Sequence, residues 1–353
     1  MIDTSPQGVF WTYVERVAAG DLDGATRMCM DLVDAGYPVG SVLSEVLAPA
    51  QAEVGAKWER AELNVAQEHA ATSVTDAALA ALARTLPEPS PVSPLLMVCG
   101  EGEWHSLPAR MGAVLLQSRG WPVRFVGASP PLADLSSDVS LVDPLAVLVS
   151  ATMASLLPGV ARTTAAVHGC GVPVLAGGSA FGSQGQRAPA TGADAWGPDV
   201  ASADHQLETW RRDGPPALYP SDHTPPGAAA YEQLCQRHHV AVEAALADSA
   251  RRLGEPDLEQ CSASQAEPAT YDKRPVGHIR ADLSNILDFL EAAVLVDDLT
   301  VLTDMLASLA YALAHRGVPT EVLSSDLGAL AAALDDLPAA RDRLLWAAEQ
   351  QQA

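Results

Sequence analysis

The stretch Val98-Cys99-Gly100-Glu101-Gly102-Glu103-Trp104-His105-Ser106-Leu107-Pro108 follows the apolar run 95–98 and precedes an amphipathic run, 109–118. This order predicts a strand, a polar loop and a helix. His105 in such a loop can reach a ligand over the sheet, because open α/β sheets bind ligands beyond the carboxyl ends of their strands. Glu103 could accept the other ring N–H and fix the tautomer, as carboxylates do for metal-bound histidines. The loop therefore offers a metal one protein ligand, which suits a cofactor with its own equatorial ligands.

Three sequence elements resemble, in order and rough spacing, the signature of cobalamin-binding domains. Residues 103–108 resemble its Asp-x-His-x-x-Gly motif, Ser150-Ala151-Thr152 its Ser-x-Leu/Thr element, and Gly177-Gly178 its Gly-Gly element. Glutamate replaces the aspartate of the signature, which lengthens the carboxylate arm by one methylene, and Pro108 replaces the closing glycine. The resemblance implies that His105 ligates cobalt from below and that these residues line the cofactor: Glu103, His105, Ser106, Leu107, Ser150, Thr152, Gly177 and Gly178.

The glycines and hydroxyls of these elements also have a mechanical interpretation. A long nucleotide tail buried in an α/β domain needs close approach of the backbone, which Gly177 and Gly178 permit. It also needs partners for its polar atoms, which the hydroxyls of Ser150 and Thr152 could supply. Neither a Gly-x-Gly-x-x-Gly motif nor a phosphate loop ending in Gly-Lys-Ser/Thr is present, so nicotinamide and nucleoside-triphosphate binding lose their main support.

Length, charge and cysteine content set wider limits. With 353 residues the chain is long enough for two or three domains. A net charge of −23 argues against direct binding to nucleic acid or to anionic membranes, since both need a basic surface. Five scattered cysteines without a Cys-x-x-Cys pair are typical of a reducing compartment. No signal-peptide pattern or membrane-length apolar run is visible, so we expect a soluble, cytoplasmic protein.

The N-terminal part has helical periodicity. Apolar residues recur at three- and four-residue spacing in four runs, which predicts an antiparallel four-helix bundle over residues 1–86: 9–19, 22–35, 39–57 and 65–84. Asn64 and Gln67 have the spacing of a capping box at the start of the fourth helix.

Trp58, followed after nine residues by Glu68-His69, resembles the upper cap of the adenosylcobalamin-dependent photoreceptor repressors. Taken alone, this pattern favours Trp58 as bundle core and Glu68-His69 as an exposed first turn, and only the downstream motif reverses that preference. The resemblance implies that Trp58 packs over the adenosyl group and that Glu68 and His69 line its pocket. Glu59 stands where those repressors carry the histidine that ligates cobalt after illumination, so His69 or water would have to take that place.

A Pro-rich spacer, 85–94, precedes a region in which short apolar runs alternate with helical ones. This alternation predicts a Rossmann-like domain over residues 95–212, with a doubly wound parallel sheet. The expected strands are 95–98, 123–127, 145–149, 172–176 and 193–196. The fold class is therefore multidomain, α and α/β.

Strand patterns disappear after a second linker, 211–227, and an all-α domain is expected over residues 226–353. The helical runs are 228–253, 276–296, 299–314, 321–334 and 339–350, with a polar loop at 257–272. This layout resembles the photocobilins, light sensors that pair cobalamin with biliverdin in a degenerate globin-like domain. No cysteine lies in an attachment motif, so the biliverdin would be bound non-covalently. Candidate contacts are His238, His239, Tyr271, Arg274, His278, Arg280 and Arg316, since arginine clamps propionates bidentately.

The leading functional hypothesis is a light sensor and not an enzyme. It binds adenosylcobalamin and biliverdin, and its photolysis would change a homo-oligomer, with a dimer favoured, or binding to an effector protein. A corrinoid methyl carrier for a separate methyltransferase is the main alternative. The cofactor subunit of a cobalamin mutase and an α/β protein with an accidental histidine motif are two further ones.

Overall fold

The computed structural model describes residues 5–218, 223–253 and 276–350. It has two compact units, one of residues 1–153 and 159–223 and the other of residues 154–158 and 224–353. The helical segments and the sheet of the first unit, expected as separate domains, thus form one compact body. No helix in the described ranges is long and apolar enough to cross a membrane.

The first unit begins with helical segments, three of which are capped at their starts by side chains. They are α1 (Pro6–Ala18), α2 (Leu22–Asp34), α3 (Val39–Val42), α4 (Ala48–Glu59) and α5 (Val65–Ala83). The side chains of Ser5 and Asp21 cap α1 and α2. Asn64 and Gln67 form the complete capping box of α5, which satisfies two helix-end N–H groups reciprocally.

The third predicted helix is interrupted by a π-helical segment, Leu43–Leu47, which joins α3 to α4. Pro49 lies two residues after this segment, and proline cannot donate the backbone hydrogen bond to the carbonyl four residues earlier. The wider turn accommodates this missing donor without ending the helix. The periodicity predicted the helix but not its local widening.

The core of these helices includes side chains from the next part of the chain. Tyr13, Leu43 and Leu79 are fully buried in it. Leu107, Met111 and Val114 of α6 (Ser106–Ser118) belong to the same cluster. The helix that follows the His105 loop is therefore packed against α3 and α5.

A five-stranded parallel sheet follows, as the alternating pattern predicts. Its strands are β1 (Leu95–Cys99), β2 (Val123–Gly127), β3 (Ala146–Ser150), β4 (Val174–Gly177) and β5 (Ala195–Gly197), in the order β2-β1-β3-β4-β5. The connecting helices are α6, α7 (Leu132–Val142), α8 (Leu157–His168) and α9 (Val200–Asp213). The chain leaves β1 for one neighbour and returns as β3 on the other side. The carboxyl ends of these two strands form the switch point where doubly wound folds bind ligands.

The second unit is helical in its described residues. It contains α10 (Ala228–Leu253), α11 (Val276–Val296), α12 (Thr300–His315), α13 (Thr320–Ala333) and α14 (Pro338–Gln350). α10 packs on α11 and α13, and α14 packs on α12 and α13. Leu283, Leu290, Leu302 and Leu330 are fully buried among them. Each helix begins within a residue of its predicted start.

Candidate functional site

Glu103 joins the loops that follow β1 and β3. Its carboxylate is fully buried. Oε1 accepts hydrogen bonds from the backbone N and from Nδ1 of His105, at 2.8 and 2.7 Å. Oε2 accepts from the backbone N and from Oγ1 of Thr152, at 2.8 and 2.6 Å. One carboxylate thus links two loops across the switch point, between residues that are 49 positions apart in the sequence.

These bonds fix the protonation states of the pair. Burial raises the pKa of Glu103, but the hydrogen bonds from His105 and Thr152 outweigh it and bring the pKa to about 2. The ionised carboxylate therefore holds the proton of His105 on Nδ1. Within the described part of the chain no group hydrogen-bonds to Nε2 of His105, whose side chain is 63% exposed. Nε2 can present its lone pair to a metal, and the carboxylate–imidazole arrangement is the one that supports histidine ligands in proteins.

The backbone around His105 explains the two departures from the signature. The side chain of Glu103, one methylene longer than that of aspartate, still reaches both His105 and Thr152. Pro108 is the third residue of α6, whose cap position is His105, and backbone N–H groups in this first turn have no helical acceptor. A proline is tolerated there because no hydrogen bond is lost. Gly102 has a φ of +86°, and its N–H donates to Ser129 Oγ at 2.9 Å.

The other signature elements lie at the same edge of the sheet. Ser150 ends β3 beside Gly177 of β4. Gly178 has a φ of +107°, and a Cβ there would lie 2.2 Å from the carbonyl oxygen of Ala151. The requirement for glycine at 178 therefore comes first from the close approach of two protein loops.

The hydroxyl of Thr152 donates to Glu103, whereas the sequence suggested a role toward the nucleotide tail. Ser179, which the sequence analysis missed, donates from Oγ to the carbonyl of Thr152 at 2.6 Å. Ser106 opens α6 and is half-buried, while Leu107 is buried in the helical core.

The predicted cap residues lie at one end of two consecutive helices. Trp58 is next to the last residue of α4 and 36% exposed, and Glu68 and His69 are in the first turns of α5. The connection between these helices is fixed by Arg60, which pairs with Glu53 and Glu62.

Glu68 also acts on His105 electrostatically. The hydrogen bond from Glu103 raises the pKa of His105, burial opposes it, and the carboxylates of Glu103 and Glu68 raise it further. Glu68 of the cap is therefore near enough to His105 for its charge to act there. His69 is largely exposed, and its Nε2 is 3.6 Å from the Glu68 carboxylate. Glu68, with His69 beside it, therefore lies in the neighbourhood of the loop histidine.

Three of the candidate bilin contacts line one groove of the second unit. His238, His239 and Arg280 surround an open cavity of about 520 Å³ between α10 and α11, with Glu243 and Ser284. The guanidinium of Arg280 already pairs with Glu243, at 2.9 and 3.2 Å.

His238 is held on both ring nitrogens. Nδ1 lies 2.8 Å from Glu291 and Nε2 lies 2.9 Å from Ser284. The hydrogen bond with Glu291 raises the pKa of His238, against the effect of burial.

Arg316 and His278 do not line this groove. Arg316 donates to the carbonyl of Ala312 at 2.8 Å, and His278 lies exposed near the start of α11. Tyr271 and Arg274 lie outside the described residues.

Comparisons with known proteins agree with a cobalamin module in the first unit. Residues 11–83 match the family model described as B12 binding domain. The HTH-type transcriptional repressor CarH of Myxococcus xanthus is 32% identical over 115 residues, which are 33% of this chain and 38% of the repressor. The chain thus matches well under half the length of that curated relative. The Methanosarcina barkeri monomethylamine corrinoid protein matches with a TM-score of 0.50 and 20% identity, over 58% of this chain and 100% of that one. At this identity the likeness shows the fold alone.

Proposed function

We propose that the first unit binds a cobalamin between the helical cap and the switch point of the sheet, with Nε2 of His105 as the lower ligand of cobalt. The observation that carries this proposal is the arrangement of Thr152, Glu103 and His105, which leaves one imidazole nitrogen available to a metal. The match of residues 11–83 to a B12 binding domain supports it independently.

We further propose that the protein is a light sensor that uses adenosylcobalamin. When bound, this cofactor supplies a cobalt–carbon bond that light can break. Trp58, Glu68 and His69 would surround the upper ligand, and the similarity of part of the chain to a CarH repressor supports that role. On illumination Trp58 would lose a packing partner, and the ends of α4 and α5 would repack. The output would be a change in a homo-oligomer or in binding to an effector protein, without catalysis of a reaction.

Absorption spectroscopy tests the sensor. The full chain, reconstituted in the dark with adenosylcobalamin, should change its spectrum under green light, and a light-stable spectrum would exclude the photoreceptor role.

Electron paramagnetic resonance of the cob(II)alamin form tests the ligand. In protein labelled with ¹⁵N-histidine, the nitrogen hyperfine splitting from the lower side should change to that of ¹⁵N, in wild type and in the control His69→Ala. In His105→Ala, where the dimethylbenzimidazole of the cofactor can take the position, the splitting should not respond to the label, and a response would refute the assignment.

The groove of the second unit supports biliverdin as a second chromophore, bound non-covalently by a globin-like domain of residues 226–353. Its volume of about 520 Å³ lies in the range of small-molecule sites, and two imidazoles and a guanidinium line it. Co-expression with a heme oxygenase should give a red-absorbing protein, and His238→Ala should shift or abolish that band. A bilin-free product would remove this chromophore from the function.

A corrinoid methyl carrier is the second candidate, favoured by the fold of the first unit. The matching Methanosarcina barkeri protein is covered over its whole length. A carrier would bind methylcobalamin at least as tightly as adenosylcobalamin, and it would pass its methyl group to or from a separate methyltransferase. The dark affinities of the full chain for these two cobalamins distinguish the candidates.

A further inference from the structure

Gln51 of α4 and Thr72 of α5 form a hydrogen-bonded relay that ends at the carboxylate of Glu68. Oγ1 of Thr72 donates to Oε1 of Glu68 at 2.9 Å. Nε2 of Gln51, on α4, donates to Oγ1 of Thr72 at 2.6 Å. The threonine hydroxyl has a single proton, which goes to Glu68, and its oxygen accepts the proton of the amide. The direction of every bond in the relay is therefore fixed.

Thr72 bonds in an unusual way for a threonine inside a helix. Such hydroxyls commonly bond to the backbone carbonyl four residues earlier, and the neighbouring Ser73 does so, at 2.9 Å from the carbonyl of His69. Thr72 instead bonds to the side chain of the residue four positions earlier, Glu68. This contact does nothing for the helix ladder, but it holds a carboxylate in one orientation.

Gln51 has a further property that packing alone does not explain. Its Oε1 is buried and has no hydrogen-bond partner among the described residues. A buried, unpaired polar atom destabilises a fold by about 1–3 kcal/mol, and an apolar residue of similar length would avoid the penalty. The amide is nevertheless present, and its one hydrogen bond supports Thr72.

We propose that Gln51 and Thr72 are positioning residues that make the cap select cobalamins with a hydroxylated upper ligand. The relay occupies Oε1 of Glu68 and leaves Oε2, which is 3.6 Å from the ring of His69, available as an acceptor. An ionised carboxylate is a strong acceptor for sugar hydroxyls, such as those of the adenosyl ribose, and a methyl group offers none. This inference rests on the proposed function, since it concerns the upper side of the same site.

The test measures selectivity, not activity. The full chain is titrated in the dark with adenosylcobalamin and, separately, with methylcobalamin, and the ratio of the two dissociation constants is compared among variants. Thr72→Val keeps the shape and loses the hydroxyl, whereas Thr72→Ser keeps the hydroxyl. Gln51→Met keeps the length and loses the amide. Ser73→Ala is the matched control, because it removes a hydroxyl from the same turn that does not touch Glu68.

The expected result is a loss of preference for adenosylcobalamin of about tenfold in Thr72→Val and Gln51→Met, the size of one hydrogen bond to a charged group. Thr72→Ser and Ser73→Ala should keep the wild-type ratio. An unchanged ratio in Thr72→Val or, if that variant does not fold, in Gln51→Met would refute the role of the relay in selectivity but not the cobalamin site. The same conclusion would follow if a variant bound both cobalamins more weakly by the same factor. Failure of the wild-type chain to bind either cobalamin would instead refute the proposed function.

Discussion

The substitution Glu103→Gln should destabilise the first unit strongly, even in the absence of any cofactor. The carboxylate is buried and accepts four hydrogen bonds from two residues. An amide of the same shape has one oxygen and one N–H2 group. If the oxygen stays with His105, the N–H2 group meets the backbone N–H of Thr152, and two donors face each other. Leaving buried donors unpaired in this way destabilises a fold by about 1–3 kcal/mol, and more where a charged acceptor is lost.

The pKa of Glu103 gives a second estimate of the same quantity. The difference between an ordinary value of 4.5 and about 2 corresponds to about 3 kcal/mol in favour of the ionised carboxylate in the folded state. Because the folded pKa lies below the unfolded one, this stabilisation is complete above pH 4.5 and is lost as the pH falls toward 2. Both arguments point to a large effect, and we expect Glu103→Gln to lower the free energy of unfolding by about 3 kcal/mol at pH 7.

Urea denaturation followed by tryptophan fluorescence measures this loss, because six of the seven tryptophans lie before residue 214. Glu101→Gln is the matched control. Glu101 lies on the same loop, but its ion pair with Arg162 is half-exposed, so its removal should change stability by about 1 kcal/mol or less. The difference between wild type and Glu103→Gln should also narrow as the pH falls from 5 toward 2. A Glu103→Gln protein as stable as the control would refute the role given to this carboxylate.

Four other substitutions test separate parts of the fold. Gly178→Ala should destabilise the protein by more than about 2 kcal/mol, because of its φ of +107° and a 2.2 Å approach to a backbone oxygen. Gly177→Ala, with 3.7 Å to the nearest atom, should change it by about 1 kcal/mol or less in the same thermal denaturation. His168→Ala should lower the free energy of unfolding in urea by about 1–3 kcal/mol, because it removes the buried partner of the Asp194 carboxylate, 2.8 Å away. A loss well below about 1 kcal/mol would contradict a structural role of this hydrogen bond. The raised pKa of His238 should make the second unit most stable below the unfolded histidine pKa and progressively less stable as the pH rises through the folded one. Glu291→Gln should flatten that profile in thermal denaturation from pH 5 to 9.

The strands and helices could be predicted because their signals are local. The five strands lie within two residues of their expected positions, and the capping box of Asn64 and Gln67 is present as expected. The hydrogen bond between Glu103 and His105 could also be predicted, because only one residue separates them in the sequence.

What the sequence did not reveal depends on contacts between distant residues. The partner of Glu103 on its other side, Thr152, is 49 positions away, and only the parallel pairing of β1 with β3 brings the two loops together. A threonine after a strand has no local feature that distinguishes a ligand contact from a bond to another side chain. The relay from Gln51 to Thr72 crosses between two helices and was missed for the same reason.

For the proposed light sensor, the packing of α6 would limit how the cap responds to illumination. One face of this helix, with Leu107, Met111 and Val114, is buried in the helical core, and another, with Ala109 and Ala113, is buried against the sheet. Full burial of each of the three larger side chains contributes about 1.5–3 kcal/mol, so detaching the cap would forfeit at least about 5 kcal/mol. Repacking confined to the ends of α4 and α5 leaves these contacts intact. A light-dependent change should therefore alter the surface around Trp58 while α6, and with it the loop that carries the histidine, stays in place.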